Sequence, residues 1–331
     1  MSYPNGLLEL SQDNAAAYLA ARGLPRPDTV RELGGGVSNT VLLVESAATR
    51  FVVKQSLGKL RVEQDWFSDR ERIFREAAAM RALVRHMPVG SVPEVLFEDR
   101  ENCLFAMTAA PADAPTWKAQ LLAGEICPAT AARIGSMLAA MGRASWGSAE
   151  YAAEFGDQTV FDQLRLDPYY RATARVHTDL APRFDELMRA PSARRCALVH
   201  GDWSPKNFLV AGGRVMAIDF EVTHYGDPAF DAAFLLNHLA LKSFHLPRHR
   251  EALAGAAASF WQALRDGMAE PPSWFEAATV AHLGALMLAR IDGKSPVEYL
   301  RAEAVRARVR DFARHLMTVP PAGVLEVFAA I

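Results

Sequence analysis

The chain has 331 residues, 50% of them hydrophobic and 22% charged, which is enough for one large or two medium-sized domains with buried cores. A formal net charge of −2 excludes a global positive field that would attract nucleic acid or an anionic membrane. No apolar stretch is long enough to span a bilayer, and three widely spaced cysteines favour a reducing, cytoplasmic location. Because these cysteines (Cys103, Cys127 and Cys196) lie in apolar surroundings, we predict that all three are buried.

The first third of the chain is predicted to combine strands with helices. Residues 12–22 are Ala-rich and helical, and the segments LGGGVSNTVLLVES and RFVVKQS predict two paired strands. From Glu63 to His86, apolar residues recur every three or four positions, which predicts a helix. The segment EVLFEDRENCLFAMTAAP then predicts two more strands joined by a tight turn. These elements indicate an antiparallel sheet accompanied by a helix.

The rest of the chain is predicted to be mainly helical. Two strand signals remain there, one near Cys196 and one hairpin at Phe208–Val210 and Val215–Ile218 around Gly212-Gly213. Because strands concentrate before residue 108 and helices after it, we predict an α+β fold with two lobes, 1–107 and 108–331. Helical patterns cover 128–144, 168–190, 229–244, 248–268, 274–291 and 297–317.

A glycine cluster precedes the first long strand. Gly34-Gly35-Gly36 followed by Ser38 and Asn39 allows close approach of the backbone to a ligand, with N–H groups directed at phosphate oxygens. The cluster lacks the Gly-Lys-Ser/Thr of a P-loop and the spacing of a G-x-G-x-x-G motif. A tight entry into the strand explains it equally well.

Lys54 and Glu76 form a predicted ion pair. Lys54 lies in the FVVK strand, and Glu76 shares a helix face with Met80 and Leu83, which predicts a half-buried carboxylate. Glu71 is the weaker candidate. A buried carboxylate needs a partner, and a strand lysine supplies one. That lysine is then placed for the phosphate oxygens of a nucleotide.

The segment HGDWSPKN, followed by a hairpin and IDFE, carries most of the chemistry. Asp202 and Asn207 lie five residues apart in one irregular loop, and the hairpin returns Asp219 and Glu221 to that loop. Carboxylate and amide oxygens are the ligands that Mg²⁺ takes in proteins. A carboxylate for the acceptor hydroxyl and oxygen ligands for Mg²⁺ make up the machinery of phosphoryl transfer.

The motifs HGDWSPKN, IDFE and YGDPAFD, in this order, resemble the aminoglycoside phosphotransferase and choline kinase family. This resemblance implies a bilobal protein-kinase-like fold, with a small antiparallel β-sheet lobe that binds nucleotide and a larger helical lobe. It implies that Asp202 is the catalytic base and that Asn207 and Asp219 hold Mg²⁺. It further implies ATP or GTP as the donor and a small-molecule hydroxyl as the acceptor, with neither nucleic acid nor membrane as partner.

The nucleotide residues follow from the same resemblance. Gly35, Gly36, Ser38 and Asn39 are similar to the phosphate loop. Lys54 and Glu76 are similar to the lysine–glutamate pair, and Met107 falls where backbone groups contact adenine. Met107 is equally explained as a core methionine.

The acceptor site is weakly defined by the sequence. Trp203 and Tyr225 adjoin the catalytic segments, and Arg290 and Asp292 follow an apolar helical run, where they can instead cap a helix or form an ion pair. The arginine-rich segment 301–315 favours a neutral or anionic alcohol over a polycationic antibiotic, although such a segment is commonly a solvated face.

Three structural roles are also predicted. His200 is expected to hydrogen-bond backbone and hold its loop, while Asp227 and Asp231 are expected to act as a helix N-cap and a loop anchor.

Departures from the family pattern leave alternatives open. Asp219-Phe220-Glu221 resembles the methylthioribose kinase branch, so Glu221 is a candidate second metal ligand. A protein kinase is disfavoured because IDFE runs directly into VTHYGDPAFD without an activation segment. A catalytically silent nucleotide-binding or interaction module remains the alternative function, and a homodimer through the C-terminal helices is neither required nor excluded.

Overall fold

The computed structural model describes residues 8–34, 39–58, 69–112, 114–189, 194–268 and 270–331. The chain divides into two compact units. The first comprises residues 1–85 and 92–112, and the second comprises residues 86–91 and 113–331. Among the described residues, no helix is both long and apolar enough to cross a membrane.

In the first unit, five strands within the described residues form one antiparallel sheet in the order β1-β2-β3-β5-β4. β2–β5 confirm the four predicted strands, whereas β1 was not predicted. Its four residues contain one strongly apolar side chain, which is too short a pattern to recognise. The strands are β1 Thr29–Glu32, β2 Asn39–Glu45, β3 Arg50–Ser56, β4 Val95–Asp99 and β5 Leu104–Thr108.

Two helices accompany this sheet, α1 (Ala15–Ala21) and α2 (Arg72–Leu83). Both confirm predicted helices, although Trp66 and the other residues at the predicted start of α2 lie outside the described residues. The core of the unit contains apolar side chains from α1 and from the sheet, with Leu19, Leu42 and Leu104 each 0% exposed. Burial of this kind contributes about 25 cal/mol per Å² of apolar surface.

The second unit is mainly helical. Its first helices are α3 (Trp117–Leu122), α4 (Pro128–Ser145) and α5 (Ala149–Phe155). Ser148 and Thr116 cap α5 and α3 by accepting hydrogen bonds from backbone N–H groups, which stabilises the helix starts. Of these, only α4 was predicted, because α3 and α5 are too short to show a clear period.

The predicted helix over 168–190 is wrong in its bounds. One helical segment runs from α6 (Thr159–Phe161) through a π-helical stretch, Asp162–Arg171, into α7 (Ala172–Val176). A 3₁₀ turn, Thr178–Leu180, then leads to α8 (Ala181–Met188). Pro182 lies in the first turn of α8, where its missing N–H is tolerated, and it favours a new helix start there.

The remaining predicted helices of this unit are confirmed with small shifts in their ends. The helix predicted from residue 297 begins at residue 303. The helices are α9 Ala229–His245, α10 Arg250–Met268, α11 Phe275–Asp292 and α12 Glu303–Thr318, and a further short helix, α13 Val324–Ala329, was not predicted.

Helix packing in the second unit depends on a glycine. A Cβ atom at Gly135 of α4 would lie 2.3 Å from the backbone oxygen of Phe260 in α10, so any side chain there would force the helices apart. α9 and α11 are buried along nearly their whole length, which explains their apolar composition on all sides.

Two short antiparallel ladders lie among these helices. β6 (Ala197–Val199) pairs with β9 (His224–Gly226), and β7 (Phe208–Ala211) pairs with β8 (Arg214–Ala217). The second ladder confirms the predicted hairpin, with Gly212 and Gly213 both at positive φ in its turn. β9 was not predicted.

The prediction that all three cysteines are buried is wrong. Cys127 is exposed, and Cys103 and Cys196 are partly exposed. Cys127 directly precedes α4, and Pro128 and Ala129 beside it are exposed as well, so the apolar composition of this segment did not indicate burial.

Candidate active site

The loop that carries Asp202 begins where β6 ends. Val199 is the last strand residue, and His200, Gly201 and Asp202 follow it. Gly201 has a φ of +76°, and a Cβ atom there would lie 2.8 Å from the side chain of Val222. Only glycine tolerates both this positive φ and this close contact. The sharp turn of the backbone here places Asp202 in the interior.

Asp231, at the start of α9, anchors this turn. Its two carboxylate oxygens accept hydrogen bonds from the backbone N–H groups of His200, at 2.6 Å, and Gly201, at 2.9 Å. The residue is 0% exposed. The prediction that Asp231 is a loop anchor is therefore confirmed, and Asp227 accepts a hydrogen bond from the N–H of Ala229 as predicted for a cap.

His200 holds the loop from inside. One ring nitrogen lies 3.1 Å from the carbonyl oxygen of Ile218, and the other accepts from the N–H of Asp202 at 3.2 Å. Burial lowers the pKa of His200 to about 4, so the ring is neutral at physiological pH. The predicted structural role of this histidine is confirmed.

Asp202 is 2% exposed and lies between two cations. Its Oδ2 atom is 2.9 Å from Arg165 Nη2 and 2.8 Å from Lys206 Nζ. Burial alone would raise the pKa of this carboxyl group, but Lys206 and Arg165 outweigh burial and hold the pKa well below its usual range. The side chain is therefore a carboxylate at every pH at which the protein would work.

The sequence did not point to Arg165. It lies in the π-helical stretch, and besides Asp202 its guanidinium donates to the carbonyl oxygens of Gly201, at 2.6 Å, and Leu164, at 2.7 Å. Three acceptors fix its position, and its side chain is 11% exposed. π-helical turns occur frequently at functional sites, but no linear pattern marks one.

Asn207 ends a 3₁₀ turn, Pro205–Asn207, in the same loop. Its side-chain Nδ2 donates to the backbone oxygen of Asp202 at 3.0 Å, and its own carbonyl accepts from the N–H of Ile218 at 2.9 Å. With the nitrogen donating, the amide oxygen is the atom suited to a cation. The contact to Ile218 ties the loop to the end of β8.

Asp219 and Glu221 follow β8. Asp219 has a φ of +70°, a left-handed conformation that is costly for a non-glycine residue and is concentrated at functional sites. The two residues offer carboxylate oxygens within 4.8 Å of each other. Oxygen ligands at this spacing suit a hard divalent cation such as Mg²⁺, for which metal–oxygen distances are about 2.1 Å.

The first unit contains the Lys54–Glu76 pair. The ammonium of Lys54 in β3 is 2.7 Å from Oε2 of Glu76 in α2, and the side chains are 6% and 1% exposed. The prediction that a strand lysine pairs with Glu76 is confirmed, and the carboxylate is more deeply buried than predicted. Asn39 begins β2 and Met107 lies in β5 opposite Val52, both buried, while Gly35, Gly36 and Ser38 lie outside the described residues.

Trp203 directly follows Asp202 in the same loop. Tyr225 lies in β9, which pairs with the strand before that loop. Trp203 is 0% exposed and packs edge-on against His200 and Phe208, so it is a core residue of the loop in this conformation. Tyr225 in β9 donates its hydroxyl to the carbonyl oxygen of Cys196 at 2.8 Å. Their predicted contact with an acceptor remains a prediction.

Arg290 and Asp292 have different partners. Arg290 donates to the hydroxyl groups of Tyr169, at 3.0 Å, and Ser295, at 2.8 Å. Asp292 accepts two hydrogen bonds from Arg310, at 2.7 and 2.9 Å, and one from His177 at 2.9 Å. Asp292 therefore joins α11 to α12, which is the ion-pair alternative that the sequence left open.

A family model described as the phosphotransferase enzyme family matches residues 29–244. The chain is 28% identical over 282 residues to methylthioribose kinase 2 of Oryza sativa subsp. japonica, a match that covers 74% of this chain and 66% of that protein. A match to methylthioribose kinase 1 of the same plant, also 28% identical, covers 58% of that protein. The chain thus spans less than two thirds of the length of these relatives.

Solved structures show the same fold. A choline/ethanolamine kinase family protein from Mesorhizobium loti superimposes with a TM-score of 0.55 at 19% identity, covering 96% of this chain and 99% of that one. An amicoumacin kinase in complex with AMP-PNP, Ca²⁺ and Ami superimposes with a TM-score of 0.53 at 16% identity, covering 93% and 94%. The predicted α+β, protein-kinase-like fold is confirmed.

Proposed function

The chain belongs to the phosphotransferase enzyme family, and on that premise we propose that it transfers the γ-phosphate of ATP or GTP to a hydroxyl group of a small molecule. The observation that carries this proposal is Asp202, a buried carboxylate in a loop fixed by Asp231, His200 and Asn207. Arg165 and Lys206 keep this carboxylate ionised although it is buried, so it is able to accept a hydrogen bond from the acceptor hydroxyl.

Asp202 acts as an orienting group first and as a base second. A carboxylate with a strongly lowered pKa is a weak base, so it accepts a hydrogen bond from the acceptor hydroxyl and aligns the attacking oxygen. The proton moves to Asp202 late, when bond formation to phosphorus has made the hydroxyl acidic. Positioning of this kind supplies most of the rate enhancement in phosphoryl transfer.

Asn207, Asp219 and Glu221 are the proposed Mg²⁺ ligands. Their amide and carboxylate oxygens match the ligand preference of this ion. Asp219 also keeps an energetically unfavourable positive φ, as residues at functional sites often do. When bound, Mg²⁺ neutralises the negative charge of the donor phosphates.

Nucleotide binding is assigned to residues of the first unit. Lys54, held by Glu76, is proposed to contact the donor phosphates, and Asn39 with Gly35, Gly36 and Ser38 to form the phosphate loop. Backbone groups near Met107 are proposed to contact the base. A cytoplasmic location and a monomer or homodimer stay predictions of the sequence.

The acceptors to be tested should include the compounds after which the similar proteins are named. Methylthioribose belongs in it because the chain is 28% identical to methylthioribose kinase 2 of rice and shares the Asp-x-Glu spacing that the sequence resemblance noted. Choline, aminoglycosides, homoserine and simple sugars complete the panel.

The test is nucleotide turnover with Mg²⁺ across this panel, for the wild type and for Asp202→Ala. We expect at least one acceptor to stimulate turnover and Asp202→Ala to reduce kcat by about 10²–10⁴, the usual contribution of a positioned base. Nucleotide binding without transfer to any acceptor would favour the catalytically silent module. Failure to bind nucleotide with Mg²⁺ would contradict the roles given to Lys54, Asn207 and Asp219.

A further inference from the structure

A chain of contacts leads away from Asp202 through cationic and aromatic side chains of the second unit. Arg165 pairs with Asp202, and its guanidinium lies 5.8 Å from the ring centroid of Tyr169. Arg290 approaches the same ring at 5.5 Å and donates to its hydroxyl at 3.0 Å. Two guanidinium groups therefore share one buried tyrosine beside the proposed base.

The positive charges of the two arginines affect the pKa of Tyr169. Burial alone would raise the pKa of Tyr169, but Arg290 and Arg165 outweigh burial and lower the pKa. The local potential around this hydroxyl is thus positive, although Asp202 is close by.

The contacts continue along one face of α9. Phe234 packs against Tyr169, His238 packs against Phe234, and Lys242 donates to the carbonyl oxygen of His238 at 3.4 Å. These three α9 residues are four positions apart, so they lie on one side of the helix.

Lys242 is the most unusual of them. It is 0% exposed, and no carboxylate among the described residues lies within 4.0 Å of its ammonium group. Its neighbours are the ring of Tyr299, at 5.0 Å, and the carbonyl of His238. Burial lowers its pKa to about 7. A lysine with this pKa is partly neutral near pH 7, and an anion bound beside it would favour its charged form.

Polar atoms without a partner lie in the same region. Among the described residues, Nε of Arg290 and the hydroxyl of Tyr299 are buried and make no hydrogen bond. Both are hydrogen-bond donors, as is the ammonium of Lys242. The hydrogen bond of Lys242 to His238 is long, so this region holds two unsatisfied donors and one weakly bonded ammonium group, which favours an acceptor group supplied by a ligand.

The charges of this region do not balance. Within the described ranges, the region contains five cations, Arg165, Lys206, Arg290, Lys242 and Lys118, and four anions, Asp202, Glu298, Asp219 and Glu221. Asp202 pairs with Arg165 and Lys206, Glu298 pairs with Lys118, and the charges of Asp219 and Glu221 also act on Arg165. Burial lowers the pKa of Lys242 most, Lys118 lowers it further, and Glu298 raises it. Arg290 and Lys242 remain without a carboxylate partner among the described residues.

We infer that the acceptor is an anionic alcohol, a small hydroxyl compound with a carboxylate or phosphate group that is bound by Arg290 and Lys242. This inference rests on the proposed phosphotransfer to a hydroxyl group. Tyr299 donates a further hydrogen bond to the same oxyanion. The hydroxyl of the acceptor then meets Asp202, while Arg290 and Lys242 disfavour polycationic acceptors by charge repulsion.

The test compares neutral acceptors with anionic relatives of the same carbon skeleton and with a cationic alcohol. Turnover with Mg²⁺ and ATP is measured for glycerol, glycerate and glycerol 3-phosphate, for ribose and ribose 5-phosphate, and for choline. The proteins are the wild type, Lys242→Met, Arg290→Gln and the matched control Lys294→Met, a lysine whose side chain is 50% exposed and paired with Asp167.

We expect the wild type to prefer an anionic acceptor over its neutral counterpart by about tenfold or more in kcat/KM, as for a hydrogen-bonded ion pair. Lys242→Met and Arg290→Gln should each reduce this preference about tenfold, and Lys294→Met should keep it. Glycerate and glycerol 3-phosphate distinguish a carboxylate from a phosphate group. A preference for neutral acceptors or choline, or a preference that Lys242→Met leaves intact, would overturn the inference.

A second measurement separates this inference from the proposed function. Thermal unfolding is followed with glycerate, glycerol 3-phosphate or ribose 5-phosphate, each against its neutral counterpart at equal ionic strength. We expect at least one anion to raise the unfolding temperature of the wild type and of Lys294→Met by about 2 °C or more, and that of Lys242→Met much less. If no acceptor is phosphorylated, the proposed function fails and this readout decides the inference. The absence of stabilisation by every anion then overturns it.

Discussion

At the scale of single residues, the site depends on conformations that only particular side chains permit. Gly201 has a positive φ and lies close to Val222 in the loop that carries Asp202. Asp219 also has a positive φ, although it is not a glycine. The first position is sterically obligatory. The second is energetically unfavourable, and a fold retains such a conformation where a side chain must be aimed.

Glu221 offers a direct test of the metal assignment. We predict that Glu221→Gln raises the Mg²⁺ concentration for half-maximal activity about tenfold, since an amide replaces one charged ligand. A titration of turnover against Mg²⁺ measures this. Glu186→Gln, at a side chain that is 65% exposed, is the control and should leave the requirement unchanged. An unaltered Mg²⁺ requirement in Glu221→Gln would remove this residue from the metal site.

At the scale of secondary-structure elements, buried ion pairs join neighbouring elements. Lys54 and Glu76 connect β3 with α2, and Asp292 connects α11 with α12 and with His177. The two pairs differ in their surroundings, because the first is nearly inaccessible to solvent and the second is partly exposed. Their expected roles differ accordingly.

Variants of Lys54 and Glu76 should distinguish an effect on stability from an effect on nucleotide binding. Glu76→Gln removes the carboxylate partner of a buried ammonium and should lower the free energy of unfolding by about 3–5 kcal/mol. Lys54→Met combined with Glu76→Leu removes both charges and should recover most of that stability. The double variant should still bind nucleotide poorly.

Urea titration and the KM for nucleotide measure the two effects. Glu186→Gln breaks an exposed pair with Arg183 and should cost about 1 kcal/mol or less. Full nucleotide affinity in the double variant would show that Lys54 serves only the fold.

Asp292 should contribute to stability rather than to acceptor binding. Burial would raise its pKa, but hydrogen bonds from Arg310 and His177 outweigh burial and lower it. A lowered pKa stabilises the fold above the ordinary value of 3.8, and this contribution is lost as the pH falls through and below that value. Asp292→Asn should therefore cost about 1–2 kcal/mol at pH 7, allowing for partial exposure, and less at pH 3.

Urea titrations at the two pH values check this expectation. Asp185→Asn, at an exposed pair with Arg189, is the matched control and should change stability little at either pH. If Asp292→Asn instead raised the KM for the acceptor without a change in stability, the acceptor role that the sequence suggested would be restored.

At the scale of the whole molecule, nucleotide binding should be visible as stabilisation. A ligand at a hundredfold excess over its Kd adds about 2.7 kcal/mol to stability, which corresponds to a rise of about 5 °C in Tm. We predict this rise with Mg²⁺ and nucleotide for the wild type and for Asp202→Asn. Lys54→Met should show a smaller rise.

Differential scanning calorimetry with ATP and GTP in parallel measures the effect and identifies the donor. A full rise in Lys54→Met would contradict the nucleotide role of this lysine, and the absence of a rise with both nucleotides would contradict the proposed function.

The sequence by itself determined the parts of the protein whose signals are local. Asp202 and Asn207 are five residues apart in one loop, and a short hairpin fixes where Asp219 returns, so spacing alone identified them. The pairing of Glu76 with Lys54 followed from helix periodicity and from the cost of a buried carboxylate. Family membership followed because three such motifs occur in a fixed order.

Only the tertiary structure decided contacts between residues that are distant in sequence. Arg165 reaches Gly201 across 36 positions, and Arg310 reaches Asp292 from the next helix. β9 and the break before α8 were missed for the same reason, since short elements are stabilised by packing rather than by their own periodicity. The charges around Lys242 come from α3, α9, α11 and several turns, and no pattern along the chain contains this arrangement.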